Sequence, residues 1–229
     1  MRPEYLPFES APKALKLRTN NQQTMTAKIV ILDIETTSLE GDAGVLVGAG
    51  LMSDAGQGEY LEARRTSEET SLLSKLSKRL ESYDVLVTWN GRSFDIPFLT
   101  TRLMKHSLDP RSILRKPHID LADVVKSRLR LTFTYLDHVC DFFQIDRKKG
   151  PMGLDVPHLY VLAAEGDRKA LASIREHCLD DLQATRQVFL KLKPLVEQQL
   201  EYAEGQFETE ERRKDREYRE VNTEQSERD

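Results

Sequence analysis

Residues 27–37 read AKIVILDIETT. Ile29, Val30, Ile31 and Leu32 form an unbroken apolar, largely β-branched run, the composition of a strand buried on both faces. The run leads directly into Asp33 and Glu35. Side chains alternate along a strand, so these two carboxylates share a face, roughly 7 Å apart at their Cα atoms. Two carboxylates on one face of a buried strand repel each other and lose hydration. A bound cation is the usual remedy, and hard oxygen ligands favour Mg²⁺ or Mn²⁺. The competing arrangement sets both acids just past the strand, in water.

Further elements follow outward from this run. AGVLVGAGLMSD (43–54) and GEYLEARR (58–65) read as two strands joined by a turn, and their close spacing predicts an antiparallel meander. SEETSLLSKLSKRLESY (67–83) predicts a helix capped by Thr66 or Ser67, with Leu72, Leu73, Leu76 and Leu80 at helical spacing. DVLVTWN (84–90) is a fourth strand, and Pro97 suits the start of a helix running to Leu108. HIDLADVVKSRL (118–129) predicts a short strand leading into a helix capped by Asp120. YLDHVCDFFQI, HLYVLAAEG and the stretch 167–196 complete a helical second half. Three strands, a helix, a strand and then helices predict an α/β fold, a mixed sheet with helices packed on it.

Apolar residues make up 39% and charged residues 31%, a polar but globular composition. Residues 1–25 hold Pro3, Pro7 and Pro12 and a polar TNNQQT, and read as an N-terminal extension. Residues 26–200 read as one domain. Residues 201–229 carry eleven acids against six Lys or Arg, and read as a disordered or solvated helical tail with the capacity to dock a protein partner. The net charge of −4 is uneven, since residues 92–149 hold twelve Lys or Arg against seven acids. That basic middle either follows a phosphate backbone or is an ordinary solvated surface. No run has the length of a membrane span, and the N-terminus lacks the basic-then-apolar layout of a signal peptide. With Cys140 and Cys178 as the only cysteines, a reduced, cytoplasmic setting is expected.

Two further stretches carry acids. In TWNGRSFDIPFL (88–99), Asp95 sits among Phe94, Ile96, Pro97 and Phe98 at a strand-to-helix junction, as either a cap or a ligand. In HCLDDLQAT (177–185), His177 and Asp181 stand four apart and share a helix face. Asp181 falls with Ile174, Cys178, Thr185 and Val188 and is expected to look inward. Asp180 falls with polar and small residues and is expected to look outward.

DIETT, NGRSFDIPFL and HCLDD resemble, in order, the three motifs of the DEDD superfamily of 3′→5′ exonucleases, which have a ribonuclease H-like fold. The second motif, with Asn90, Phe94, Asp95, Pro97 and Leu99, is most similar to the proofreading domains of family B DNA polymerases and to YprB-type ribonuclease H-like proteins. The match runs over roughly residues 27–192. The superfamily divides by a Tyr four residues, or a His five residues, before the last Asp. This chain places His177 at the four-residue spacing, as a Tyr-branch scaffold carrying histidine.

The resemblance implies two-metal phosphodiester hydrolysis with Mg²⁺ or Mn²⁺. Asp33 is expected to bridge both ions, Glu35 and Asp181 to complete one site, Asp95 to hold the other through water, and His177 to orient or deprotonate the attacking water. Thr36 and Thr37 are assigned to the terminal nucleotide, Leu39 to a wedge against its base, and Asn90 and Phe94 to the incoming strand. Each also has an ordinary role: the threonines start a turn, Asn90 caps one, and Trp89 and Phe94 pack in the core. Arg147, Lys148 and Lys149 either hold phosphates or form a solvated loop. The expected substrate is single-stranded nucleic acid, DNA ahead of RNA. The alternatives are an exoribonuclease and a non-catalytic nucleic-acid-binding module on the same fold.

Overall fold

The computed structural model describes residues 27–148 and 153–226, with side chains through Tyr202. The N-terminal extension at 1–25 and Lys149 lie outside the described residues. Five strands form one sheet in the order β3-β2-β1-β4-β5. They are β1 (Ile29–Thr36), β2 (Leu46–Ser53), β3 (Gly58–Glu62), β4 (Val85–Thr88) and β5 (His118–Asp120). β1, β2 and β3 form the expected antiparallel meander, and β4 and β5 run parallel to β1. The carboxyl ends of β1, β4 and β5 therefore lie along one edge, where open α/β sheets place their ligands.

Helices cover both faces, which is why β2 and β4 are apolar and buried along nearly their whole length rather than alternating. On one face Val30, Leu32, Ile34 and Leu86 pack against α1 (Glu69–Leu80), α2 (Asp95–Lys105) and α3 (Arg111–Leu114). On the other, Ile29, Ile31, Val85 and Val87 pack against α4 (Leu121–Arg128), α5 (Leu136–Phe143) and α7 (Arg168–Ser226). Each fully buried aliphatic side chain contributes on the order of 1.5–3 kcal/mol. α6 (Val156–Ala164) packs on α7 through Val156, Tyr160 and Ile174. It is followed by Gly166 at φ +106°, where the chain turns through the left-handed region.

All four leucines read as the inner face of α1 are buried, but the expected cap is not there. Thr66–Glu68 form a 3₁₀ turn, and no side chain caps either helix start. The first-turn acid Glu69 instead turns inward. Its Oε1 accepts from the Leu46 backbone N–H at 2.7 Å and from Arg102 Nε at 2.7 Å. Arg102 also donates to the Gly41 carbonyl at 2.9 Å, so one guanidinium ties α1, α2 and the β1–β2 turn together. Burial alone raises the Glu69 carboxyl, but the hydrogen bonds from Arg102, Leu46 and His106 hold it below its ordinary value.

No helix among the described residues is long and apolar enough to cross a membrane. The backbone of α7 stays helical past Pro194 to Ser226.

Candidate metal centre

Asp33 and Glu35 lie on the face of β1 that looks toward α7. Their partners across the β1–β2 ladder are glycines, Gly50 opposite Asp33 and Gly48 opposite Glu35. A Cβ at Gly50 would sit 2.4 Å from Leu182 Cδ1 and 2.7 Å from Cys178 Sγ. The missing side chain is what lets α7 descend onto the sheet at this level. The ladder register breaks between Glu35 and Thr36, a bulge that re-aims the chain beyond the acids.

Asp95 arrives from the other side as the first residue of α2. The residue before the helix, Phe94, makes no side-chain cap hydrogen bond. The Asp95 carboxyl is buried; burial and the Asp120 charge push it up to about 7, against backbone hydrogen bonds from Asp95 itself and Ile34. Asp181 comes from α7. Burial raises its carboxyl above the ordinary value despite His177 and Arg147. Glu35 is pushed up to about 9 by burial, then by the charges of Asp181 and Asp95. Asp33 rises by burial and by all three other acids, while opening onto the cleft beside it. The four predicted acids, from two strand positions and two helices, thus converge on one another.

The donor set suits a hard divalent cation. Oxygen atoms of Asp33 and Glu35 lie within 4.8 Å of each other and of Cys178 Sγ. Burial first, and the neighbouring acids second, favour the protonated carboxyls of Asp33 and Glu35, and a cation would displace those protons. Cys178 is a neutral buried thiol beneath the acids, its S–H directed at the Asp33 carbonyl at 3.8 Å. Nothing in its sequence position marked it, beyond sharing the inward face of α7 with Asp181.

His177 Nδ1 lies 3.8 Å from Asp181 Oδ1 at the half-buried rim of the cluster. Asp180, expected outward, is instead covered. Residues 145–148 fold across that face of α7, so Arg147 donates from Nε to Asp180 at 2.9 Å and also bonds Asp181. Arg147 pairs with Asp137 as well, at 3.1 Å. Of the three basic residues read as either a phosphate-holding patch or a solvated loop, Arg147 pairs with carboxylates. The Lys148 backbone N–H donates to Asp180, leaving its side chain exposed.

The substrate-facing expectations divide. Thr36 Oγ1 donates to the Ser38 carbonyl at 2.7 Å, and Thr37 Oγ1 accepts from the Val45 N–H at 3.0 Å, so both hydroxyls build the turn. Leu39 is 68% exposed on that turn. Asn90, at φ 60°, lines a cleft of about 670 Å³ together with Asp33, Asp181 and Trp89. Phe94 packs on Phe98 at 5.8 Å between ring centroids, on the α2 face of the core. Asp120 is the cap it was expected to be, accepting from the backbone N–H groups of Ala122, Asn90 and Arg92.

A mixed five-stranded sheet with acids gathered at its carboxyl edge defines a ribonuclease H-like α/β protein. The RNase_H_2 family model of the RNase_H superfamily matches residues 30–193, and the chain belongs to that superfamily. The DNA polymerase of Methanocaldococcus jannaschii is 28% identical over 149 residues, covering 56% of this chain and 8% of that protein. DNA polymerase III PolC-type of Ureaplasma parvum is 28% identical over 157 residues, covering 58% of this chain and 11% of that protein. The chain thus spans a small part of the length of the curated relatives it matches. The family B DNA polymerase from Pyrobaculum calidifontis shares the fold with a TM-score of 0.65, at 19% identity over 74% of this chain and 25% of that one.

Proposed function

We propose that residues 26–200 form a metal-dependent 3′→5′ exonuclease that hydrolyses phosphodiester bonds of single-stranded DNA. The observation that carries this reading is the gathering of Asp33, Glu35, Asp95 and Asp181, in which burial and then the charges of Asp181 and Asp95 raise the carboxyls of Asp33 and Glu35. A binding module has no use for such a cluster, because clustered acids repel nucleic acid.

Asp33, Glu35 and Asp181 would hold one Mg²⁺ or Mn²⁺ and Asp33 with Asp95 the other. Such ions neutralise the scissile phosphate and lower the pKa of a bound water. The chain's own residues do the positioning. Asp33 and Glu35 are fixed by the central strand, and Asp95 is fixed by its backbone hydrogen bond from Ile34. Arg147 holds Asp181 in place and offsets its charge. His177 turns Nδ1 toward Asp181, leaving Nε2 to orient the attacking water or take its proton. The polymerase relatives supply the DNA preference of this reading.

The test uses 5′-labelled single-stranded DNA and RNA of one sequence with Mg²⁺ or Mn²⁺, and EDTA and Asp33→Ala as controls. A ladder shortening from the 3′ end, lost in both controls, is expected, with DNA the better substrate. Cleavage of RNA alone makes the protein an exoribonuclease. No cleavage of either strand with either metal refutes the hydrolase.

A further inference from the structure

Between α4 and α5 the chain leaves Phe133 52% and Tyr135 57% exposed. Large rings set side by side in solvent carry a hydration cost that marks a contact surface. These two lie 5.6 Å apart between ring centroids at 33°, and the His138 ring of α5 meets both, edge-on to Phe133 at 5.4 Å and 90°. Their orientation is therefore set before any partner arrives. Both rings line the same cleft as Asp33 and Asp181, on the wall that also carries Lys126.

We propose that Phe133 and Tyr135 form a ledge on which the unpaired bases of a single DNA strand stack as it leads into the acid cluster. This rests on the proposed nuclease reading for what the strand meets at the end of the cleft. The occupant follows from continuity: one cleft has carboxylates at its floor and flat apolar rings at its wall. An apolar peptide filling it would bury the Asp33 carboxyl with no cation beside it. A nucleic acid strand presents the complementary pair of surfaces, bases for the rings and phosphates for Lys126 and for cations held by the acids. Stacking is indifferent to base identity, so the ledge grips any sequence, and a paired end whose bases are already stacked on each other gains nothing from it. The site thus selects strands with an unpaired 3′ segment.

The experiment is fluorescence anisotropy on the full chain with Ca²⁺ and a labelled single-stranded DNA of about twelve nucleotides. The same strand lacking the bases of its last four nucleotides is compared. Phe133→Ala/Tyr135→Ala is expected to weaken binding of the intact strand at least about tenfold. It should change binding of the abasic strand less than about twofold, because those contacts are already missing. Phe133→Trp keeps the affinity. Phe142→Ala, an equally exposed ring of α5 outside the cleft, leaves it unchanged. Thermal melting verifies that each variant is folded. A double variant that binds like wild type, equal weakening on both strands, or no binding by the wild type overturns the ledge. Hydrolysis of the intact strand by the wild type with Mn²⁺ is measured alongside. Ledge-dependent binding without hydrolysis refutes the nuclease and keeps the ledge, and hydrolysis with ledge-independent binding does the reverse.

Discussion

Replacing Glu35 with glutamine is expected to stabilise the metal-free protein at alkaline pH and to weaken it relative to wild type once metal is added. The Glu35 carboxyl is pushed from 4.5 to about 9 by burial, then by Asp181 and Asp95. A folded-state pKa above the unfolded one contributes stability that is complete below the unfolded value and lost as the pH climbs through the folded value. At about pH 8 the proton is held roughly 3.5 pH units above its unfolded pKa, an upper bound of about 5 kcal/mol lost since acid pH. Water in the cleft and reorientation of the neighbouring acids reduce this to about 2 kcal/mol. Glutamine has the shape of the protonated acid and no proton to lose. For a folded part of this size, the variant should melt about 4–8 °C above wild type at pH 8 in EDTA, and within about a degree of it at pH 5. Saturating Mn²⁺ should reverse the order at pH 8, because the ion stabilises a deprotonated site that glutamine cannot complete. Melting below wild type at pH 8 without metal, or one offset at both pH values, would refute the placement of Glu35 as a buried acid beside Asp181 and Asp95.

Gly50→Ala should cost about 1–3 kcal/mol in urea unfolding, since its Cβ collides with Leu182 and Cys178. The same change lifts Asp181 from Asp33, so hydrolysis of the labelled strand should fall more steeply than stability. Arg102→Ala leaves the buried Glu69 charge without its guanidinium partner and should cost about 3–5 kcal/mol, whereas Arg102→Met with Glu69→Gln should recover part of it. Asp120→Ala strips three backbone N–H groups of their acceptor and should cost about 2 kcal/mol or more, read from chemical denaturation.

The strands and the inward helix faces were legible because burial imposes a period on the sequence. Ile29–Leu32 marks a strand covered on both sides, and Leu72, Leu73, Leu76 and Leu80 mark one side of a helix. The same logic placed Asp181 inward, beside Cys178 and Thr185. The pairing of Arg147 with Asp180 and Asp181 was not legible, because these lie 33 and 34 residues away and only the fold of 145–148 over α7 selects them. Asp180 was misread for the same reason: helix periodicity knows nothing of a loop that covers the polar face. Nothing local distinguishes Glu69, a first-turn acid that meets a guanidinium, from one that meets water. Phe133 precedes the helix read from Tyr135 onward, and Tyr135 stands just before the first helical residue, so helix periodicity assigns neither ring a face.

The bond between Glu69 and Arg102 has a consequence for the order of assembly. Its contacts join positions 23, 33 and 61 residues apart, so it forms only after α1, α2 and the turn at Gly41 have docked. Any partly built state that buries Arg102 early holds an uncompensated charge and is disfavoured against both the open chain and the finished one. Arg102 sits two turns along α2 from Asp95. The docking that satisfies this guanidinium is the docking that carries Asp95 to Ile34, so one face of the interior and the placement of Asp95 are completed together.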